Sequence, residues 1–154
     1  MRPATTGVLI GGGVAATLDI VYAFVASAPS GISPTQVLQS VASGWLGRRA
    51  FDGGQPAAAL GLVSHYGILF AAAALYLAAS CRWPVLRERA VVCGLVFGVG
   101  VYLFMNFVVV PLSAVPFAIA YTPAKLAQGF LSHAVLVGLP IALAVRRWSR
   151  PEIR

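Results

Sequence analysis

Ala57 to Ser80 reads AAALGLVSHYGILFAAAALYLAAS, with no Asp, Glu, Lys or Arg and a single histidine. A helix of that length crosses a hydrocarbon core roughly 30 Å thick at about 1.5 Å per residue. Outward from it, three more apolar blocks of about the same length follow the same rule: Gly7 to Ala28, Ala90 to Val110 and Ala124 to Val145. The chain has 154 residues, of which 59% are hydrophobic and 10% charged. A soluble domain carries roughly 25% charged residues. So few charges cannot cover a water-soluble fold, and the pattern predicts an all-α membrane protein, a four-transmembrane-helix bundle over one domain, 1–154.

The formal charge of +7 raises nucleic acid as a partner, but the arginines stand at the ends of apolar spans and form no stripe with interleaved aromatics. No nucleic-acid partner is expected; the lipid bilayer is. If four helices alternate, Arg2, Arg82, Arg87, Arg89, Arg146, Arg147, Arg150 and Arg154 fall on one side and Arg48, Arg49 and Lys125 on the other. The positive-inside rule then puts both termini in the cytoplasm. Ala26-Ser27-Ala28 resembles a cleavage site, yet the lone arginine before the first block and Asp19 within it point to a retained first helix. Cys81 and Cys93 fall near the cytoplasmic side, where no structural disulfide is expected.

Ser33-Pro34 has the form of an N-cap followed by proline at the first helical position. An amphipathic external helix is expected over about 34–50, with Val37, Leu38, Val41, Trp45 and Leu46 on one side and Gln36, Gln39, Ser40 and Ser43 on the other. It is expected along the outer membrane surface with Trp45 in the interfacial belt. Asp52-Gly53-Gly54 makes a turn, and the short connection Cys81 to Arg89 predicts a tight hairpin of spans two and three. Thr122-Pro123 repeats the capping signal, and Pro140 should kink the last span.

The two halves share spacing. Gly61 to His65 and Gly129 to His133 both read G-x-x-S-H, and Gly11, Gly13 and Asp19 are spaced as Gly98, Gly100 and Asn106 are. Two parallel-repeat helical hairpins, related by an axis along the membrane normal, would produce this.

Asp19, His65, Asn106 and His133 lie about 4 to 10 residues from the outer ends of their spans, hence in one layer of the outer half of the membrane. An ionisable group near a span's centre costs about 2.5–3.5 kcal/mol on insertion scales, so such groups face inward and find partners. Interhelical polar contacts averaging about 0.6 kcal/mol would account for such a layer by packing alone. Three kinds of site also fit. Asp19 with one or both histidines suits a proton or cation relay, since histidine titrates near neutral pH. His65 and His133 with Asp19 suit a transition metal, with Met105 as a soft ligand for copper. His65 and His133 also suit a b-type haem, with Gly61 and Gly129 making room for the ring; close helix packing is the other use of those glycines.

Tyr102 and Tyr22 are placed to lend hydroxyls to the layer, Tyr22 also suiting the interfacial belt. Ser64 and Ser132 are expected to bond the preceding turn of their own helices. No C-x-x-C, G-x-x-x-x-G-K-[ST], H-E-x-x-H or G-x-S-x-G is present, so hydrolysis and phosphoryl transfer have no visible apparatus and enzymatic activity is not expected.

Met105 to Ser113, followed by Gly129 to His133 and by Val137-Gly138-Leu139-Pro140, resembles small bacterial inner-membrane proteins of the YagU type, mainly over the second half. The resemblance implies a bacterial inner-membrane location and carries no chemistry onto any residue. The leading expectation is an outer-leaflet polar cluster that binds or relays a proton or metal cation, in a homo-oligomer or larger membrane complex. The alternatives are a bis-histidine haem electron carrier and a non-catalytic accessory subunit.

Overall fold

The computed structural model describes residues 3–118 and 121–148. Arg2, Arg150 and Arg154 lie outside them. Among the described residues there is no strand, and four helices are long and apolar enough to cross a membrane. Span one is Pro3–Ser27, span two Gly54–Arg82, span three Ala90–Leu112 and span four Pro123–Trp148. A short helix, Pro34–Leu46, precedes span two, and a single turn, Val85–Glu88, joins spans two and three.

The helix starts follow the sequence. Ser33 caps the short helix reciprocally with Gln36: the Gln36 amide donates to Ser33 Oγ at 3.3 Å and the Ser33 amide to Gln36 Oε1 at 2.8 Å. Thr122 Oγ1 accepts from the Lys125 amide at 3.3 Å. Gly54, at φ +55°, turns the chain into span two.

Span four is the centre of the bundle. Val137, Ile141, Ala142 and Val145 pack with Ala15 and Ala16 of span one, Leu69, Ala73 and Tyr76 of span two and Ala90 of span three. Helices in lipid gain nothing from hiding apolar surface, so close backbone approach through small residues must supply the attraction. Gly94 and Gly98 of span three lie against the backbone at Gly138, His133 and Ala134, and Gly11 of span one lies against Ile141 and Ala144.

That packing corrects the expected tight hairpin of spans two and three. They scarcely touch, meeting where the Tyr76 ring stands 4.9 Å from that of Phe97 and its hydroxyl donates to the Leu86 carbonyl at 2.7 Å. The physical reason is that span three turns its glycine face to span four. The packing also departs from a parallel repeat. A two-fold axis would require Gly11 and Gly98 to meet different spans, whereas both meet span four.

The short helix does not lie free of the bundle. Leu38 and Ala42 cross directly over Gly61, whose missing side chain leaves room for the Leu38 carbonyl. Its buried residues are Val37, Gln39, Ala42 and Ser43, so two members of the expected polar face turn inward. Gln39 Nε2 donates to the Gly54 carbonyl at 3.3 Å and Ser43 Oγ to the Ser40 carbonyl at 2.7 Å. Trp45, 72% exposed, is tied to span two through Nε1–H donated to Ser64 Oγ at 3.1 Å. Regular helix ends at Leu46, and residues 47–50 form a tighter turn.

The expected kink at Pro140 takes the form of a widened turn. Residues His133–Gly138 are π-helical, and so are Met105–Val109, just before Pro111. Proline has no N–H and clashes with the carbonyl four residues back; opening the preceding turn relieves both problems.

Candidate functional site

The residues expected to form a polar layer line one cavity of about 700 Å³ at the end of the bundle that carries the short helix. Asp19 enters from span one, His65 from span two, Tyr102 and Asn106 from span three, and His133 from span four. The short helix roofs them with Gln36, Val37, Ser40 and Val41, and Phe51 and Phe117 close the sides.

Asp19 stands between the histidines, with Oδ2 3.9 Å from His65 Nε2 and Oδ1 4.0 Å from His133 Nδ1. The carboxylate is mostly buried, and among the described residues no donor comes within hydrogen-bond distance of it. These separations are ion-pair distances and too long for hydrogen bonds.

Each ring is held by a backbone carbonyl. His65 Nε2 lies 3.0 Å from the Ala16 carbonyl and His133 Nδ1 lies 3.1 Å from the Gly129 carbonyl. A carbonyl only accepts, so both nitrogens carry hydrogen. In the neutral rings, Nδ1 of His65 and Nε2 of His133 are then the acceptors. The ring of Tyr102 packs edge-on against His133 at 5.1 Å and fills the space over Gly129. Asn106 Nδ2 donates to the Tyr102 carbonyl at 3.0 Å, and the Asn106 carbonyl accepts from Tyr121 at 3.0 Å.

This geometry bears differently on the three kinds of site. Among the described residues no group of three His, Cys, Asp or Glu side chains converges as a metal centre requires. The nitrogens that face Asp19 are those already committed to carbonyls, so a metal ion ligated by both rings beside Asp19 would have to displace both hydrogen bonds. Met105 lines a neighbouring cavity and is absent from this one. For haem, the space expected over the glycines is taken: the Leu38 backbone occupies it at Gly61 and the Tyr102 ring at Gly129. Both glycines serve close packing. A proton-binding cluster needs no rearrangement, since a shared carboxylate and two rings are present as they stand.

Of the remaining expected residues, Tyr22 accepts from Gln128 Nε2 at 2.6 Å, linking spans one and four beside the cavity. Ser132 Oγ donates to the Gly129 carbonyl at 3.1 Å, as its position suggested, and Ser64 is engaged by Trp45. The contributions of Val37, Ser40, Val41, Phe51 and Phe117 were not anticipated. The sequence signal was the short helix itself, whose polar face had nowhere to go but inward if the helix met lipid. Both π turns also fall at the site, one containing Asn106 and the other starting at His133, and the downstream prolines were their visible marks.

No protein-family model, curated protein or solved structure matches this chain.

Proposed function

We propose that this chain is a membrane-embedded proton-binding protein in which Asp19, His65 and His133 take up and release a proton from the cavity at one end of the bundle. The observation that carries the reading is the placement of one carboxylate 3.9 and 4.0 Å from two imidazole rings inside an apolar bundle. Histidine is the side chain whose charge ordinarily changes between about pH 5 and 8, and here one carboxylate lies at ion-pair distance from two such rings. Beyond the cluster Ala16, Leu69, Val137 and Ile141 pack together as buried core, which supports a site reached from one end of the bundle.

The proposed setting is a bacterial inner membrane with the termini in the cytoplasm. Arg82, Arg87, Arg89, Arg146 and Arg147 at the end away from the cavity support it, against Arg48, Arg49 and Lys125 at the cavity end.

The test is the pH titration of histidine ring nitrogens by NMR, on purified chain labelled at histidine. Both rings are expected to titrate as one coupled unit, and Asp19→Asn to displace both titrations together. Rings that titrate independently, or do not titrate, would leave Asp19 a packing contact and sink the proposal.

A further inference from the structure

A second cavity, of about 620 Å³, lies between spans two and three beside the first. It is walled by Trp45 and Gly44 of the short helix, Ser64 and Ile68 of span two, and Phe104 and Val108 of span three. Spans two and three barely meet, so this cavity is a side opening between apolar helices. Ser40, Val41 and Phe117 belong to the walls of both cavities, so the two adjoin across these three side chains, an apolar arm between spans two and three on one side and a polar arm ending at Asp19 on the other. Each volume lies within the roughly 300–1,000 Å³ range of small-molecule sites.

We infer that the two cavities open into one another past Ser40, Val41 and Phe117 and bind a single-chain amphiphile with an ammonium head, its tail between spans two and three and its head at Asp19. Three observations select that head. The Asp19 carboxylate is inside the bundle with no hydrogen-bond donor among the described residues, and a buried anion gains most from a ligand that supplies both charge and N–H. Phe51, Tyr102 and Phe117 present aromatic rings to the same arm, which favours a cation over a neutral hydroxyl. Among the described residues no lysine or arginine lines either cavity, so a carboxylate or phosphate head would meet Asp19 uncompensated. The last point argues against a bilayer phospholipid, whose phosphate accompanies any ammonium it carries.

The inference does not require the proton-binding reading, because an ionised Asp19 suffices. Trp45 provides the measurement, since it lines the apolar arm while Trp83 and Trp148 stand at the far end of the bundle. In detergent-solubilised full-length protein carrying Trp83→Phe and Trp148→Phe, chain-brominated octadecylamine should quench Trp45 fluorescence saturably. At about pH 8, below the ordinary ammonium pKa of about 10.4, it should bind about tenfold tighter than chain-brominated octadecanol or octadecanoate. Asp19→Asn should remove that preference. Val108→Phe, which fills the apolar arm and lies outside the walls of the Asp19 cavity, should weaken amine binding while leaving the histidine titration in place, and it carries the test if Asp19→Asn does not fold. Absence of saturable quenching, equal affinity for the three heads, a preference that survives Asp19→Asn, or equal quenching by chain-brominated phosphatidylethanolamine would each overturn the inference. The histidine titration is recorded without amphiphile, so either proposal can fail alone.

Discussion

Asp19 is one carboxylate among apolar neighbours, and its partners stand 46 and 114 residues away in the chain. That it needed partners was legible, because an intramembrane charge is costly unless paired. That it would sit at ion-pair distance from both histidines, with each ring bonded to a carbonyl, was not. Those carbonyls belong to Ala16 and Gly129, whose accessibility depends on helix rotation and on local turn geometry. Glycines show the same division. Gly98 and Gly100 look alike in the sequence, yet a side chain at Gly98 would strike the backbone of His133 and Ala134 and one at Gly100 meets nothing within 4 Å. Gly98→Ala is therefore expected to lower stability by about 1–3 kcal/mol through overpacking. Gly100→Ala should leave stability unchanged or raise it by up to about 1 kcal/mol through helix propensity. Thermal unfolding of the two variants in detergent checks this, and equal melting temperatures would contradict the backbone contact.

Among the elements, the four long helices were legible because length and apolarity suffice to define them. The short helix was legible in its start, through the Ser33 capping box, but not in its placement. An amphipathic pattern read against water puts apolar residues inward; in a bundle surrounded by lipid that preference is lost, and Gln39 turns in to bond the Gly54 carbonyl while Ser43, buried beside it, bonds back to its own helix. The π turns are the other element-level finding. Pro140 denies the Leu136 carbonyl its usual donor, and the widened turn before it begins at His133. Pro140→Ala restores that donor and is expected to tighten the turn and carry His133 away from Asp19. The measurable outcome is loss of the coupled histidine titration with helix content by circular dichroism unchanged; coupling that persists would mean the π turn is held by packing instead.

At the scale of the molecule, the bundle is asymmetric: span four is the hub, spans two and three are parted, and the gap between them at one end holds the cavity that adjoins the polar one. The proposed orientation places Cys81, exposed at the arginine-rich end, in the cytoplasm. In a Cys93→Ser background a membrane-impermeant maleimide should label Cys81 in inverted vesicles and not in intact cells, and the reverse pattern would turn the topology over. Because buried apolar residues pack together beyond the cluster, reconstituted protein should add no proton leak to vesicles holding a pH-sensitive dye. A leak abolished by Asp19→Asn would contradict a site reached from one end.

The sequence by itself determined the four spans, the capped start of the short helix, and a polar residue from each span at similar depth. These follow from composition, local hydrogen bonding and helical rise, which act over a few residues. Only the tertiary structure decided that spans one and three both pack on span four, that the short helix roofs the polar residues, and that Gly61 and Gly129 are filled by a backbone and a tyrosine ring. Those choices depend on which small residues let which backbones approach, a competition among whole helix faces that no single segment records.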